Sequence, residues 1–579
     1  MSNFNELENL YNKKRYNELE IKTKKLIENN PNIAALHNIL GMAFKEQNKH
    51  DEAIESFKKC ILKDKKYFLA YNNLANILII QNKREDALKY YNLALKINPS
   101  YSEAYYNKGN LHRDKLEYKE AIKSYNKAID LEPKHFKSYN NLGFVLRRFG
   151  KIKEALNCFE KAIKIKPDFI KAYNNFFFNL QYLDHNNFNQ IFEKYKSFKK
   201  EIKKIDKKKI EPFSYLKNPK KLKVGFLSSD FRNHPIGYFL VDWIKHANKK
   251  YMEYYAFSNN SINDDLTTDL KNNFTDWYNI EKKIDEEVIS EIRKKGIHIL
   301  IDLSGHTSGN RLPIFVNKSA PIQIAWAGFL ATTGIDEIDY ILGDPYVTPI
   351  KNQSEFIEKI FMLPDIWCCF SIPNYKIEIR NPPFLKNDFI TFGSFNNISK
   401  INEETIKVWS KILTSLTKSK ILLKTPELDN IEIKEEILKK FKENDINSNQ
   451  IILEGGSSRD KLLESYNKID IALDSFPYSG GTTSFEAVWM GVPIITKESK
   501  KFVSRSTGSI NINLGMQEWI ASSNDEYIKK AISFASKTDQ LLNIKKNLRE
   551  KSILSPIFNH KLFAKNFEVA MWKIWKQEK

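Results

Sequence analysis

The segment IDIALDSFPYSGGTTSFEAVWMGVPIITK (469–497) decides the architecture of the region around it. It opens on an apolar run of strand length, IDIALDS (469–475). A glycine–threonine turn follows, then a short helix read over Ser484–Met490, which Gly491 and Pro493 shut off. A second apolar run, VPIITK (492–497), closes the segment. Strand, turn, helix and strand within about thirty residues make a βαβ unit and predict a parallel sheet with helices on its faces.

The same alternation extends outward in both directions. FITFGSF (389–395), SKILLKT (419–425) and NQIILEG (449–455) precede the segment as further strands, after the Pro-rich NPPF (381–384). On the far side of that break lie KVGFLSS (223–229), HILIDLSG (298–305), IDYILGD (338–344) and KIFMLPD (359–365). We therefore expect two α/β halves, 222–380 and 381–579, with a hinge near 375–388. Ligands of such sheets sit beyond the carboxyl ends of the strands, and with two sheets the expected site is the cleft between them. Polar residues collect at those ends: SSDFRNHP (228–235) with His234, SGHTSGNR (304–311) with His306, Asn310 and Arg311, FNNISK (395–400), and SFPYSGGTTSFE (475–486). A lone His is usually a satisfied structural residue. Four polar turns at equivalent strand ends argue for a site.

The N-terminal third keeps a different period. Small residues recur every 34 positions at Gly41, Ala75, Gly109 and Gly143, and again at Ala53, Ala87, Ala121 and Ala155. Pro99, Pro133 and Pro167 mark the joints. Each unit reads as helix, turn, helix, and the pattern resembles tetratricopeptide repeats. One such hairpin cannot bury its apolar face alone, so the units must stack into a superhelix. About four full repeats over 31–166, a degenerate half before them and a helix at 167–182 make an array over 1–182. Residues 183–221 read as a helical linker. Asn73, Asn107, Asn141 and Asn175 keep the same phase. They are either plain repeat consensus or a line of amides that pairs with the backbone of an extended peptide.

Composition bounds the rest. A chain of 579 residues is too long for one core, and 42% hydrophobic with 13% aromatic residues excludes wholesale disorder. No window holds the roughly 18 consecutive apolar residues of a membrane span, and the opening MSNFNELENLYNKKRY has no signal-peptide core. Cys60, Cys158, Cys368 and Cys369 show no bridging or metal-ligand spacing, so reduced thiols in a cytoplasm are expected. The formal charge of +21 raises nucleic acid as a partner. Lys is spread from end to end, with one modest cluster at Lys199–Lys209, and no aromatic–basic motif accompanies it; no nucleic acid is expected.

SGGTT at the mouth of a helix invites an anion. Gly480 and Gly481 remove Cβ obstruction, and first-turn amides carry the positive end of the helix dipole. Thr482 and Thr483 add hydroxyls, although Thr483 or Ser484 would also serve as a simple N-cap. Lys400, at the end of another strand, offers a second cationic ligand. Glu486, one turn into the helix, can accept from ribose hydroxyls. A diphosphate held there between two α/β halves describes a nucleotide-sugar transferase of the GT-B type.

Five motifs in order behind the repeats carry a closer resemblance: KVGFLSSDFRNHPIGYF, HILIDLSGHTSGNR, APIQIAWAGFLATTGIDEIDY, FGSFNNISKI and DIALDSFPYSGGTTSFEAVWMGVPIIT. Together they resemble the catalytic region of O-GlcNAc transferases, the bacterial members above all, over nearly the whole chain. The resemblance implies transfer of GlcNAc from UDP-GlcNAc to a Ser or Thr hydroxyl of a polypeptide held by the repeats, with inversion and without metal or other cofactor. It puts Lys400 and Asn397 on the phosphates, Thr482 and Thr483 on the diphosphate, and Glu486 on the ribose. It also puts His234 beside the reacting centre and Ala327 and Gly328 in the turn lining the sugar pocket. Arg459 stands where uracil and ribose contacts lie, and His306 joins the donor-binding set. Gly481 replaces a frequent His, Leu462 a stacking His, and WAGFLATTG lacks a common Pro-Gly. These departures leave GDP-fucose or a UDP-hexose open as donor. A catalytically silent peptide-binding scaffold is the remaining alternative.

Overall fold

The computed structural model describes residues 2–184, 188–203 and 212–577. The chain divides into two compact units, residues 1–146 with 157–166, and residues 147–156 with 167–579.

The first unit is helical. Pairs Ala34–Glu46 and His50–Lys63, Phe68–Ile80 and Arg84–Ile97, and Ser102–Asp114 and Tyr118–Leu131 follow one another in the expected phase. The small residues allow each pair to close. A Cβ on Gly41 would lie 2.6 Å from the Phe57 ring, and one on Gly109 2.7 Å from the Tyr125 ring. Ala53, Ala87 and Ala121 are fully buried. Between paired helices one residue turns left-handed, at Asn48, Asn82 and Leu116. Lys14 does the same at φ 57°. The degenerate half expected before the repeats is thus a whole hairpin, Ser2–Asn12 and Tyr16–Asn29. Its sequence signal is missing because buried Leu7 and Leu19 stand where later repeats have Gly41 and Ala53.

The second unit holds two parallel sheets. Strands β1 (Leu222–Ser228), β2 (Met252–Ser258), β3 (Asp276–Asn279), β4 (Ile299–Asp302), β5 (Ile322–Ala325), β6 (Tyr340–Gly343) and β7 (Lys359–Met362) form the first. Strands β8 (Thr391–Ser394), β9 (Lys420–Lys424), β10 (Ile451–Glu454), β11 (Ile471–Leu473), β12 (Ile494–Lys497) and β13 (Ile520–Ala521) form the second. Their orders are β3-β2-β1-β4-β5-β6-β7 and β10-β9-β8-β11-β12-β13. Each chain winds outward one way from its first strand, then returns and winds the other way. That is the doubly wound Rossmann pattern, with switch points between β1 and β4 and between β8 and β11. The loops after those four strands are the four polar turns singled out in the sequence.

β2, β3, β5 and β13 were not expected. β2 (MEYYAFS) is aromatic rather than aliphatic, and β5 (IQIA) has only four residues. The final helix, His560–Gln577, follows the second half in sequence but packs on the first. Phe567 lies 4.8 Å from Trp243 and 5.4 Å from Trp326, ring to ring, because Phe563, Phe567, Met571 and Ile574 form one apolar stripe. In the expected linker, helix Phe188–Ile202 anchors through Tyr195, whose hydroxyl donates to the Thr332 carbonyl at 3.0 Å. Residues 204–211 of that linker, including part of the Lys199–Lys209 cluster, lie outside the described residues.

Candidate active site

At the second switch point, Asp474 directly follows β11 and the chain loops through Tyr478 and Gly480 into helix Thr482–Trp489. Its first-turn N–H groups, Thr482 and Thr483, have no intrahelical acceptor. Gly480 differs from its expected role: its N–H donates inward to Asp474 Oδ1 at 2.7 Å. Glycine is needed there because a Cβ would sit 2.1 Å from Ser484 Oγ. Gly481 has open space, with nothing within 4 Å of a Cβ built on it. Thr483 Oγ1 donates to Asn396 Oδ1 at 2.9 Å, and Asn396 Nδ2 donates to Asp474 Oδ1 at 3.1 Å. Asn396 and Asp474, which nothing in the sequence sets apart from Asn397, hold the turn from beneath.

Lys400 closes a single 3-10 turn, Ile398–Lys400, directly after β8. Its ammonium donates to the Ser479 carbonyl at 2.8 Å and lies 4.2 Å above the Tyr478 ring. Two strand ends are thereby joined at the mouth of the glycine–threonine helix. Burial pulls the Lys400 pKa down to about 8, with the Asp474 charge opposing. Asn397 caps the turn, its Oδ1 accepting from Ser399 N–H at 2.9 Å, while its amide donates to Glu427. The exposed Asn397 side chain keeps one further amide N–H beyond these partners.

Glu486 is 1% exposed and its Oε1 lies 2.7 Å from Arg459 Nη1. Burial pushes the carboxyl upward in pKa, and the arginine and Tyr466 oppose this. The Arg459 guanidinium also stacks 4.0 Å over the Tyr238 ring. Tyr238 belongs to helix Pro235–Leu240 of the first half, the helix that His234 caps. Arg459 thus spans the two halves, a role the sequence did not announce.

His234 Nδ1 accepts from the Ile236 N–H at 3.4 Å and lies 3.9 Å from Asp230 Oδ2. Burial lowers its pKa, with Asp230 opposing and Arg232 assisting. The ring is therefore neutral near pH 7. With Nδ1 accepting, Nε2 carries the proton and presents a donor. Ala327 adopts φ 61°, and Gly328 N–H donates to the Trp326 carbonyl at 2.7 Å, a tight three-residue turn. A non-glycine residue held left-handed stores about 1–3 kcal/mol, and such strain gathers at functional sites. Gly328 is obligatory, since a Cβ would fall 1.8 Å from the Leu303 carbonyl oxygen.

His306 sits in the interior. It is 2% exposed, with Nε2 at 2.9 Å from the Thr333 carbonyl and Nδ1 at 2.8 Å from the Asn174 amide. Phe177, Phe198 and Phe329 surround it. Burial drops its pKa to about 3, so the ring is neutral and its single N–H faces two oxygens, the Thr333 carbonyl and Asn174 Oδ1.

The phased amides are also partly engaged. Asn73 donates to Asn38 at 3.0 Å, Asn107 to Asn72 at 3.0 Å and Asn141 to Asn110 at 2.8 Å. Asn73 and Asn107 each have a second N–H and a carbonyl beyond that bond, whereas the buried Asn141 also accepts from Asn140 Nδ2 at 3.0 Å and reaches the Tyr106 hydroxyl at 3.4 Å. Asn175 lies on helix Ile170–Leu180 in the second unit. Among the described residues no His, Cys, Asp and Glu cluster could hold a metal ion, and no helix is long and apolar enough to cross a membrane. All four cysteines are buried and none forms a disulfide.

Two Rossmann-like halves with polar loops at both switch points, behind a helical repeat array, define a GT-B glycosyltransferase architecture. The chain belongs to glycosyl transferase family 41, matched over residues 176–376 and 371–567. Tetratricopeptide repeats match at 34–66, 68–101, 102–135 and 136–169. A probable UDP-N-acetylglucosamine–peptide N-acetylglucosaminyltransferase SPINDLY of Hordeum vulgare is 28% identical over 408 residues, covering 68% of this chain and 42% of the relative. The UDP-N-acetylglucosamine–peptide N-acetylglucosaminyltransferase of Caenorhabditis elegans is 23% identical over 480 residues, covering 62% and 41%. The chain spans less than half the length of these curated relatives. A solved mutant of the Thermobaculum terrenum O-GlcNAc transferase superposes with a TM-score of 0.78 at 26% identity, covering 88% of this chain and 98% of that one.

Proposed function

We propose that this protein is an inverting, metal-independent O-glycosyltransferase that moves a sugar from a nucleotide sugar, UDP-GlcNAc first among candidates, to Ser or Thr hydroxyls of polypeptides. The observation that carries the proposal is the meeting of Lys400 with the Tyr478–Thr483 loop, where its ammonium lies 2.8 Å from the Ser479 carbonyl. A cation and free helix amides at one point supply what a departing diphosphate needs, charge stabilisation that grows as the bond breaks. Thr482 and Thr483 amides and Lys400 would hold the phosphates, and Glu486 with Arg459 the ribose. The strained Ala327–Gly328 turn would line the sugar.

His234, with its proton on Nε2, would donate to the sugar or to a phosphate oxygen, and the acceptor proton would leave late to a phosphate oxygen or water. The repeats would hold the acceptor polypeptide through backbone contacts. Buried thiols outside any disulfide fit a cytoplasmic setting. Open space at Gly481 keeps GDP-fucose and UDP-hexoses among the donors to be tried.

Titrating the full chain with UDP, GDP and their sugars, followed by transfer assays with the donor that binds, tests the proposal. Lys400→Ala should abolish transfer with the fold intact. Undiminished turnover in that variant would remove the assigned site.

A further inference from the structure

We propose that Arg147 and Arg148, consecutive residues at the end of helix Phe136–Arg148, are positioning residues for the diphosphate-binding turn, holding its two ends by separate routes. The inference rests on the donor site assigned above. The helix belongs to the last matched repeat, 136–169, yet both arginines lie in the same compact unit as the two sheets.

The polar route starts at Arg148. Its Nη1 donates to Glu427 Oε1 at 2.9 Å, and that carboxylate, only 12% exposed, also accepts from the Asn397 amide. Thr425 Oγ1 completes the set on the other oxygen. Asn397 is the cap of the Ile398–Lys400 turn. One arginine therefore fixes the start of that turn through one carboxylate.

The aromatic route starts at Arg147. Its guanidinium lies 5.5 Å from the Phe178 ring, which meets Tyr182 edge-on at 5.8 Å. Tyr182, 6% exposed, packs 5.0 Å from Tyr478, and Tyr478 carries the Lys400 ammonium 4.2 Å above its face. This stack ends at the last residue of the turn whose cap the first route holds. Both approaches are pinned by lysines at helix carboxyl ends, where cations are favoured. Lys440 donates to the Phe149 carbonyl at 2.8 Å, and Lys501 to the Leu180 carbonyl at 3.1 Å. The nucleoside contacts, Arg459 and Glu486, stand on other helices, Arg459–Ser465 and Thr482–Trp489.

Arg148 and Arg147 thus govern phosphate affinity and leave nucleoside affinity alone. The test measures UDP and GDP binding to the full chain by calorimetry, and uridine and guanosine binding by ligand-observed NMR. The variants are Arg148→Ala, Glu427→Gln, Arg147→Ala and, as the reference for the site, Lys400→Ala. Arg148→Ala and Glu427→Gln should each weaken the bound nucleoside diphosphate about tenfold, with Arg147→Ala a few-fold, while nucleoside affinity stays within about twofold. Unchanged diphosphate affinity in Arg148→Ala and Glu427→Gln, with Lys400→Ala impaired, overturns the inference and spares the site. Equal losses for nucleoside and diphosphate overturn it as well, since they mark general loosening. Failure of Lys400→Ala to weaken diphosphate binding, or of wild type to bind either diphosphate, overturns the site itself.

Discussion

Asp474 Oδ1 accepts the Gly480 N–H at 2.7 Å, and through this one bond a buried carboxylate sets the path of the glycine–threonine loop. The same oxygen takes Asn396, which takes Thr483, and the other oxygen takes the Thr496 hydroxyl at 2.8 Å. Burial pushes this acid upward in pKa, and its hydrogen bonds and the Lys400 charge oppose that shift. Asp474→Asn keeps the shape but turns one acceptor into a donor facing donors. Stability should fall by about 2–3 kcal/mol, with nucleoside diphosphate affinity falling in parallel. Chemical denaturation and calorimetry check both; a variant unchanged in each would mean that the loop keeps its path without the charge.

The donor kcat/KM should fall on the alkaline side. Lys400 has its pKa lowered to about 8, so the free enzyme carries the cation below that pH and loses it above. A group needed in its protonated form gives a limb that drops about tenfold per pH unit beyond its pKa. His234, lowered from its ordinary value, is neutral through pH 7, so any acid limb it sets lies below about 6.5. Lys400→Arg should slow the reaction and carry the alkaline limb beyond pH 10, because a guanidinium stays charged. A wild-type profile flat from pH 7 to 10 would contradict the assignment of Lys400.

Two glycines beside the site separate space from backbone need. Gly328→Ala must push a Cβ into the Leu303 carbonyl oxygen at 1.8 Å, a backbone atom that cannot rotate away. The cost should be several kcal/mol, lowering the melting temperature markedly and abolishing transfer. Gly481→Ala meets nothing within 4 Å and should leave the melting temperature within about a degree. Any change in preference among UDP- and GDP-sugars in that variant then reports contact with donor. Equal melting behaviour of the two variants would contradict the geometry.

Much of this architecture could be read from the chain because it rests on short-range chemistry. Aliphatic runs marked β1, β4, β8 and β11, and polar turns after them marked the switch points. A 34-residue period marked the repeats through residues whose size is fixed by a facing ring, as Gly41 is by Phe57. What stayed hidden depends on tertiary neighbours. His306 reads as a donor-binding residue in SGHTSGNR, and the rings of Phe177, Phe198 and Phe329 around it appear only in the fold. Asn396 and Asn397 are indistinguishable in FNNISK until one is seen beneath Thr483 and the other against Glu427. Asp474 follows a strand like any Asp, and its value comes from a loop six residues on. The first hairpin hid because Leu7 and Leu19 broke the small-residue signal that its helices do not need.

The phased asparagines should serve two purposes that one set of variants can separate. Asn73, Asn107 and Asn141 each donate one N–H to a neighbouring repeat, so replacing them by Ala removes a bond and leaves an acceptor on Asn38, Asn72 or Asn110. Each loss should cost about 1 kcal/mol, seen as a lower midpoint in chemical denaturation. The second N–H and the carbonyl of Asn73 and Asn107 are what an extended peptide backbone would use, while those of Asn141 also meet Tyr106 and Asn140. With Asn175→Ala added, the quadruple variant, assayed well below its melting temperature, should bind acceptor polypeptide at least about tenfold more weakly. Its nucleoside diphosphate affinity should remain within about twofold, because Lys400, Thr482 and Glu486 are untouched. Peptide affinity unchanged in a measurably destabilised variant would assign the amides to repeat stacking alone. Parallel loss of peptide and diphosphate would show that the amides do not act on the acceptor separately from the donor.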